Sequence, residues 1–389
     1  MQKNILLGIT SSIAAYKIYE LIRLYKKKGF NVKTVITPNS KNFISPLVLE
    51  TLTKEKCYFE EFAPRENTQH ISLCDWADIF VVAPITANTI SKFATGIADN
   101  LLTSVFCAYL GKNKPVILAP AMNDGMWNNP FIQENLSKLK NCNCTIIEPD
   151  IGYLACDSTG KGRLANINLI YDDTLRMLFQ NKENNSKKIV ATLGGTREKI
   201  DSVRFITNSS SGKMGTAICD WAYYLGYDVC AITTKELSNK PYKTINVESA
   251  QDMLDELNKT EFDYLIMSAA VGDFRAENIS QTKISKEETG NYLDIKLIKN
   301  PDILKTISEN KDKKGKLIGF CLTDKNLLEC AKSKLENKNL DYIIANDVNT
   351  GLNTDTNKVT IISKSGKIID IDLDTKSNIA RKILEVVCD

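Results

Sequence analysis

Histidine is almost absent from this sequence, and His70 is its only representative among 389 residues. The eleven cysteines are an odd number and never show C-x-x-C spacing, with Cys142 and Cys144 as the closest pair. Zinc sites and disulfide frameworks require more histidines or a more regular cysteine pattern. We therefore expect no metal cluster of this kind, mostly buried reduced thiols, and a cytoplasmic protein.

Long apolar runs and an excess of one charge are also missing. No apolar segment reaches the roughly 20 residues of a membrane-spanning helix, and the chain enters a strand without the architecture of a signal peptide. The 50 Lys and Arg residues nearly balance the 47 Asp and Glu residues, for a net charge of +3. This balance predicts neither a nucleic-acid partner nor a membrane partner. The length predicts two or three domains.

The first half contains short apolar strands that alternate with helical segments. These strands are NILLGIT (4–10), VKTVIT (32–37), IFVVAP (79–84) and VILAPAM (116–122). Because the strands are apolar throughout, they predict a parallel sheet with helices on both faces. Ligands of such sheets bind at the carboxyl ends of the strands. We therefore expect a site formed by residues 11–12, 37, 84–89 and 120–123.

Several polar residues near these strand ends have two interpretations. Ser11 and Ser12 precede a helical segment, where they could hold a phosphate or only cap the helix. A lone histidine such as His70 is more often a structural residue than a catalyst. Similarly, Trp127 could be core or lid filler, and Cys156 could be an incidental thiol in a glycine-rich loop.

A polar, charged stretch separates the two halves, and we interpret residues 181–187 as a linker between domains 1–180 and 188–389. The second half repeats the alternation with the strands IVATL, DVCAITT, YLIMSAAV, KLIGFCL and YIIAND. This pattern predicts a second, Rossmann-like parallel sheet. The tail alternates around Ser365 and Gly366 as a hairpin.

The loop after the first strand of the second half suggests an anion site. Asn208 to Ser211 could cap a helix start, Gly212 and Gly215 would let a ligand approach the backbone, and Lys213 adds positive charge. A capped surface loop is the simpler alternative. The stretch matches neither a Walker A loop nor G-x-G-x-x-G.

Further along, charged residues follow the strand YLIMSAAV. Asp273 could bind a ribose, a metal or a base edge, and Arg275 a phosphate, although both could instead cap the loop. Lys283 and Lys286 lie in a segment that we expect to be a mobile hairpin. Such charges usually form a solvated face, but they also suit the binding of a triphosphate under a closing lid.

The segments GITSSIAAYK, APITANTISKFATGIADNLLTS and PAMNDGMW together resemble the flavin-dependent phosphopantothenoylcysteine decarboxylases. The resemblance implies a flavodoxin-like domain that binds FMN. The FMN contacts that it implies are Ser12, Ile13, Thr37, Thr86, Ala87, Asn88, Thr89, Ala98, Asp99 and Asn100.

The same resemblance implies three catalytic side chains. His70, in HISL, would hold or polarise the substrate carboxylate, and Asn123 would bind that carboxylate through its amide. Cys156 would donate a proton to the enethiol. The implied course is oxidation of the substrate thiol by FMN, loss of CO2, and return of a hydride and a proton.

The second half, from KIVATLGGTREKIDSVRFITNSSSGKMG onward, resembles the CTP-dependent phosphopantothenate-cysteine ligases. Asn208 matches the asparagine at the nucleotide and acyl-cytidylate site of that family, and TKI places Lys283 on a lid near the acyl phosphate. The implied nucleotide contacts are Ser210, Gly212, Lys213, Ala269, Asp273, Lys283, Pro301, Asp302, Ile303, Leu304, Phe320, Lys334 and Lys338. Gly195, Ser202, Gly272 and residues 321–324 depart from the family pattern, but none of them is a proposed catalytic group.

The resemblance thus implies a bifunctional enzyme of coenzyme A synthesis with FMN, Mg²⁺ and CTP, whose substrates are 4′-phosphopantothenate and cysteine. It also implies a homo-oligomer with trimeric decarboxylase contacts and dimeric ligase contacts, which a dodecamer would combine. Two alternatives are an enzyme with one active half and a regulatory flavoprotein that binds a protein partner. The presence of His70, Asn123 and Cys156 favours catalysis.

Overall fold

The computed structural model describes residues 3–61, 68–155, 157, 159–285, 290, 292–310, 314–323, 326–347 and 354–388. The chain divides into two compact units, residues 1–179 and 180–389. Each unit is built around its own sheet. None of the helices in the described ranges combines the length and the hydropathy that crossing a membrane requires.

The first unit alternates strands and helices as its sequence predicts. Its strands are β1 (Asn4–Ile9), β2 (Asn31–Ile36), β3 (Cys57–Tyr58), β4 (Ile79–Ile85), β5 (Val116–Pro120), β6 (Cys144–Ile146), β7 (Asp150–Tyr153) and β8 (Thr159–Arg163). Its helices are α1 (Ile18–Lys27), α2 (Pro46–Thr53), α3 (Gln69–Trp76), α4 (Ala87–Thr95), α5 (Leu101–Leu110), α6 (Asp124–Trp127), α7 (Pro130–Asn141) and α8 (Ile167–Phe179), with 3₁₀ turns at Ile13–Lys17 and Pro38–Asn42.

Six of these strands form a parallel sheet in the order β3-β2-β1-β4-β5-β6. Without the two-residue β3, the order of the remaining five is the doubly wound order of flavodoxin-like folds. The strands β1, β4 and β5 are buried almost throughout, because helices cover both faces of the sheet. The direction of the connections reverses between β1 and β4, so a crevice opens at their carboxyl ends.

The second unit also alternates strands and helices. Its strands are β9 (Lys188–Leu193), β10 (Arg197–Lys199), β11 (Phe205–Thr207), β12 (Asp228–Thr233), β13 (Lys243–Asn246), β14 (Tyr264–Met267), β15 (Phe274–Ala276), β16 (Leu297–Lys299), β17 (Lys316–Thr323), β18 (Tyr342–Asp347), β19 (Thr356–Ser363) and β20 (Ile368–Thr375). Its helices are α9 (Lys213–Tyr224), α10 (Ala250–Lys259), α11 (Ile303–Glu309), α12 (Leu327–Asn337) and α13 (Lys376–Val387), with a 3₁₀ turn at Lys182–Asn184.

The eight-stranded sheet of this unit has the order β13-β12-β9-β14-β17-β18-β19-β20. Its first six strands are parallel and follow the Rossmann order, with the reversal between β9 and β14. The tail hairpin is confirmed, because β19 and β20 extend this sheet in antiparallel fashion around a turn with Gly366 at φ 86°.

The stretch expected to be an uncapped linker is more ordered than its composition suggests. The side chain of Asn181 accepts a hydrogen bond from the Glu183 N–H and caps the 3₁₀ turn. The Asn184 amide donates to the Leu225 carbonyl over 3.0 Å. These asparagines therefore attach residues 181–184 to the second unit, which composition alone could not reveal.

A buried hydrogen bond between helices α1 and α8 gives a test of packing in the first unit. The hydroxyl of Tyr25, which is fully buried, lies 2.7 Å from Thr174 Oγ1, and Thr174 donates to the Ile170 carbonyl. Burial raises the pKa of Tyr25, so its hydroxyl stays protonated and needs an acceptor.

We expect Thr174→Val to lower the free energy of unfolding by about 1–3 kcal/mol, because it leaves the Tyr25 hydroxyl buried without an acceptor. Tyr25→Phe should cost only about 0.5–1.5 kcal/mol, and the double variant should be no less stable than Thr174→Val. Urea unfolding of the full chain measures these differences. A Thr174→Val chain as stable as Tyr25→Phe would contradict the assignment.

Candidate functional site

In the first unit, Thr10 joins the loops that follow β1 and β4. Its N–H and its hydroxyl both donate to the Pro84 carbonyl, over 3.2 and 2.8 Å, and the Thr86 N–H donates to its hydroxyl over 3.0 Å. Thr10 is fully buried. The predicted residues Ser12 and Thr86–Thr89 are therefore neighbours at the crevice.

Three helical segments begin at this edge of the sheet. Ser12 caps the first 3₁₀ turn through the Ala14 N–H, and Thr86 caps α4 through the Thr89 N–H. Asn100 caps α5 in a reciprocal capping box with Thr103. Simple capping therefore accounts for these side chains, yet the remaining N–H groups of the first turns still form a positive edge.

A chain of hydroxyls lies beside these helix starts. Thr37 Oγ1 is 3.2 Å from Ser11 Oγ and 2.6 Å from Ser40 Oγ, and Ser40 donates to the Ile9 carbonyl. Ser40 has no sequence signal and was not among the predicted contacts. Next to this chain, the apolar side chain of Ile13 is 61% exposed.

The loop from Ala98 to Asn100 is more solvent-exposed. Asp99 forms an ion pair of 2.5 Å with Lys92 and accepts from the Asn100 amide over 2.9 Å. The hydrogen bond from Lys92 lowers the pKa of the Asp99 carboxyl, so it carries its negative charge at neutral pH. The charge of Asp99 is thus compensated by Lys92, whereas the hydroxyl chain at Thr37 offers uncharged donors to an anion.

The donor set suits the FMN implied by the sequence resemblance. Uncharged hydroxyls and helix N-termini bind phosphate well, and an exposed apolar side chain such as Ile13 can cover a flat ring system. Ala87 and Thr89 are buried in the first turn of α4, whereas Asn88 is exposed beside them. The fit rests on the chemistry of these groups.

Asn123 starts the short helix α6, and its side chain accepts from the Gly125 N–H over 2.8 Å. The hairpin β7–β8 lies against this loop, because the Met122 N–H donates to the Gly162 carbonyl over 2.9 Å. A Cβ at Gly162 would come within 2.1 Å of the Met122 carbonyl oxygen. Trp127 is buried in the core of this unit, whereas Met126 is half exposed to solvent.

Cys156, the predicted proton donor, lies outside the described residues. The strands on either side of it, β7 and β8, are antiparallel and pair Tyr153 with Thr159. Its proposed role therefore stays a prediction.

His70 lies in the first turn of α3, half-buried. This helix runs alongside α5, since the Cys74 thiol donates to the Val105 carbonyl and Lys112 pairs with Asp75. Because α3 precedes β4 and runs antiparallel to it, its first turn points toward the carboxyl edge of the sheet. The neighbouring Gln69 is 4% exposed, and its Nε2 has no hydrogen-bond partner in the described structure. Sequence reasoning missed Gln69.

In the second unit, a cavity of about 850 Å³ opens where β9 and β14 end. The predicted ligase residues that line it are Asn208, Ser210, Gly212, Lys213, Ala269, Asp273, Pro301, Asp302, Ile303, Leu304, Phe320, Lys334 and Lys338. Thirteen predicted side chains or backbone positions thus meet in one place, as the sheet order requires.

The start of α9 forms one wall of this cavity. The prediction that Asn208 to Ser211 cap this helix is wrong: its N-cap is Gly212, at φ 73°, and no side chain caps it. A Cβ at Gly215 would come within 2.5 Å of Leu193 Cβ, so this glycine brings the helix against β9. The uncapped N–H groups face the cavity and make a stronger anion site than a capped start would.

Lysines supply further positive charge. Lys334 donates to the Phe320 carbonyl over 2.9 Å, and Lys338 pairs with Asp302 over 2.8 Å. Burial, with help from nearby Lys338, lowers the pKa of Lys334. Burial also lowers the pKa of Lys376, a cavity residue that sequence reasoning missed. These ammonium groups are poorly hydrated, which favours an anionic ligand.

The opposite wall is the loop after β14. Asn208 Nδ2 donates to the Val271 carbonyl over 3.1 Å, and the Asn300 amide donates to the Gly272 carbonyl over 2.8 Å. Asp273 remains exposed in the cavity. The expectation that Arg275 binds a phosphate is not supported, because its guanidinium donates to the Lys299 carbonyl and to Asn300 Oδ1.

Lys283 does not line this cavity as described. It is exposed, and the segment that carries it is held by Asp201, which accepts from the Ile284, Arg204 and Val203 N–H groups. The hydrogen bond from the Arg204 N–H leads the effects that lower the pKa of Asp201. Lys286 lies outside the described residues, and the lid role of Lys283 stays a prediction.

No cluster of three or more His, Cys, Asp or Glu side chains within the described ranges could hold a metal ion. Two exposed carboxylates line the cavity, Asp273 and Asp302, and Asp302 is paired with Lys338. Mg²⁺ typically uses one or two protein carboxylates together with substrate phosphates, so this donor set is sufficient.

Comparison with known proteins agrees with the division of the chain into two units. Residues 1–179 match the family model described as "Flavoprotein", and residues 184–389 match that of the DNA/pantothenate metabolism flavoprotein C-terminal domain. A solved C-terminal domain of a coenzyme A biosynthesis bifunctional protein CoaBC is 40% identical. It covers 53% of this chain and 95% of that chain, with a TM-score of 0.45.

Two curated relatives are similar over their full length. The coenzyme A biosynthesis bifunctional protein CoaBC of Borreliella burgdorferi is 41% identical, covering 99% of each chain. The protein of the same name from Bacillus subtilis is 37% identical, covering 99% of this chain and 96% of its own length. The chain therefore belongs to the family of coenzyme A biosynthesis bifunctional proteins, with a flavoprotein domain as its first half.

Proposed function

We propose that the second unit joins 4′-phosphopantothenate to cysteine at the expense of CTP, and that the first unit decarboxylates the product to 4′-phosphopantetheine with FMN. The observation that carries the proposal is the cavity at the β9/β14 reversal, where an uncapped helix start meets several lysines. Such a site suits a triphosphate better than any uncharged ligand.

In the ligase step, a carboxylate oxygen of 4′-phosphopantothenate would attack the α-phosphorus of CTP, and pyrophosphate would leave. The N–H groups at the start of α9, together with Lys213 and Lys334, would bind the phosphates and stabilise the added charge. Mg²⁺, which shields phosphate charge, would be held by Asp273 and the phosphates.

The acyl-cytidylate then needs a donor for its carbonyl oxygen. Asn208, which lines the cavity, would take this role by turning its amide from the Val271 carbonyl, to which Nδ2 donates over 3.1 Å, toward the acyl oxygen. The cysteine amine would attack the acyl carbon, the bond from that carbon to the CMP oxygen would break, and the amine proton would leave to solvent. An amide donor at the developing oxyanion lowers the barrier of such a step.

In the first unit, FMN supplies the two-electron oxidation of the substrate thiol that makes the carboxylate a leaving group. The hydroxyl chain of Ser11, Thr37 and Ser40 would bind its phosphate. Asn123 would orient the substrate carboxylate, and His70 would polarise it. Trp127 and the β7–β8 hairpin would exclude water, and Cys156 would deliver the final proton.

A homo-oligomer also belongs to the proposal. Ile13 and Tyr16, on the 3₁₀ turn Ile13–Lys17, are 61% and 59% exposed, and Leu47, on α2, is 72% exposed. Exposed apolar side chains of this size are typical of interaction surfaces, which supports contact with further copies of this chain; the trimeric arrangement itself comes from the family resemblance.

The two activities should separate by substitution. We expect Asn208→Asp to lower amide formation at least about a hundredfold, because a carboxylate replaces the oxyanion donor. Decarboxylation of supplied 4′-phosphopantothenoylcysteine should be unchanged, and Cys156→Ser should show the reverse pattern. Asn337→Asp, on the exposed side of α12, is the matched control. Parallel loss of both activities in either variant would refute the division of labour.

Gly162→Ala should disturb only the first unit. Its Cβ would clash with the Met122 carbonyl and push the β7–β8 hairpin away from Asn123. A displacement of about 1 Å typically costs on the order of a hundredfold in rate, so we expect decarboxylation to fall by that order while pyrophosphate release persists. Gly111→Ala is the control, since its Cβ would meet nothing closer than 3.8 Å. Unimpaired decarboxylation in Gly162→Ala would show that hairpin contact is dispensable.

The lowered pKa of Lys334 predicts an alkaline loss of CTP affinity. As pH rises toward this lowered pKa, the ammonium loses its proton earlier than an ordinary lysine, and the dissociation constant for CTP should increase. Lys334→Arg keeps its charge, so its affinity should decline less between about pH 7 and pH 10. Calorimetric titration with CTP measures both, with Lys332→Arg as control. Identical pH profiles would exclude Lys334 as a phosphate ligand.

A further inference from the structure

A second cavity lies on the other side of the Asn208–Ser211 loop. It has a volume of about 550 Å³ and is lined by Arg197, Phe205, Asn208, Thr234, Lys235 and Glu236 among others. We call it the Arg197 cavity. Asn208 lines both this cavity and the larger one, so a ligand here would sit next to the acyl group that Asn208 is proposed to hold.

The surroundings of the Arg197 side chain favour the binding of an anion. Its guanidinium carbon lies over the ring of Phe205, 3.6 Å from the ring centre, and this contact restricts the side chain. Its Nε is buried and has no hydrogen-bond partner in the described structure. No carboxylate pairs with this guanidinium among the described side chains, and a carboxylate ligand in the cavity would accept from its terminal N–H groups.

Two further groups complete the cavity. The hydroxyl of Thr234 is also buried without a partner within the described residues, and a Cβ at Gly194 would come within 2.2 Å of it. Glu236 is exposed at the same cavity and forms no ion pair among the described side chains. The cavity therefore has an arginine, a lysine and a carboxylate in its lining.

We propose that the Arg197 cavity binds the amino-acid cosubstrate, with Arg197 holding the carboxylate of cysteine and Glu236 attracting its ammonium group. This inference rests on the proposed ligase function. A zwitterion matches the charges of both Arg197 and Glu236, whereas a phosphate would be attracted by Arg197 and Lys235 and opposed by Glu236. The polyphosphate has its own receptor of uncapped helix and lysines in the larger cavity. Once the bound ammonium group has lost a proton to solvent, the neutral amine would attack the acyl carbon from the side opposite the nucleotide.

Cysteamine provides the test, because it carries the amine and thiol of cysteine but no carboxylate. In the unmodified chain we expect a clear preference for cysteine over cysteamine in kcat/KM. Arg197→Gln should lower kcat/KM for cysteine by about ten- to a hundredfold and leave that for cysteamine unchanged. Glu236→Gln should raise the KM of both amines. Mass spectrometry of the two amide products follows each reaction.

A separate measurement isolates the activation step. Pyrophosphate release from CTP and 4′-phosphopantothenate without any amine should be the same in Arg197→Gln and in the unmodified chain, which also shows that the variant is folded. Arg197→Lys, which keeps the charge, should retain part of the preference for cysteine. Lys199→Gln is the matched control, since Lys199 pairs with Glu248 outside the cavity.

Three outcomes would overturn the inference. If the ratio of kcat/KM for cysteine to kcat/KM for cysteamine is unchanged in Arg197→Gln, Arg197 does not bind the carboxylate. A raised KM for 4′-phosphopantothenate with that ratio intact would assign the cavity to a phosphate. Absence of CTP-dependent pyrophosphate release in the unmodified chain would remove the proposed ligase function itself, and it is recognised before any variant is compared.

Discussion

A buried threonine after the first strand fixes the crevice in each unit. Thr10 holds the loop after β4 through the Pro84 carbonyl and the Thr86 N–H. Thr196 does the same after β9: its N–H donates to the Ala270 carbonyl, and its hydroxyl accepts from the Gly272 N–H over 2.8 Å. Both residues are fully buried. These hydrogen bonds pair backbone N–H and C=O groups of the two loops and hold the loops together. The neighbouring side chains are therefore not needed to pair those groups and remain available for ligands.

The two crevices offer different groups to the anionic ligands proposed for them. The first uses neutral hydroxyls and capped helix starts, with Asp99 already paired to Lys92. The second uses an uncapped helix start and lysines whose pKa burial lowers. Neutral donors suit a cofactor that stays bound, because they leave no unpaired charge in the site when it is empty. Poorly hydrated ammonium groups favour a highly charged ligand that must bind and leave in every turnover.

Local patterns account for what the sequence could predict. Apolar strands, helix starts and the strand-end location of Asn123 and Asp273 follow from short-range rules, and the family resemblance supplied their roles. Contacts between distant segments could not be predicted. Nothing near Arg197 in the sequence reveals that Phe205 stacks on its guanidinium, and nothing near Lys376 shows that it reaches the nucleotide cavity. The N-cap at Gly212 was missed because the serine-rich loop before it looks like a better cap than glycine.

Two of the glycines that depart from the ligase pattern, Gly272 and Gly195, differ in the space that their surroundings leave for a side chain. At Gly272 a Cβ would meet its neighbours at 3.5 Å or more, so the alanine usual in the family would fit without movement. At Gly195 a Cβ would come within 2.5 Å of the Asn208 carbonyl oxygen. The proline usual at that position would therefore hold the Asn208 loop farther from β9 than it lies in this chain. Since residues 208–211 line both the larger cavity and the Arg197 cavity, Gly195 lets the wall that the two cavities share lie close to β9.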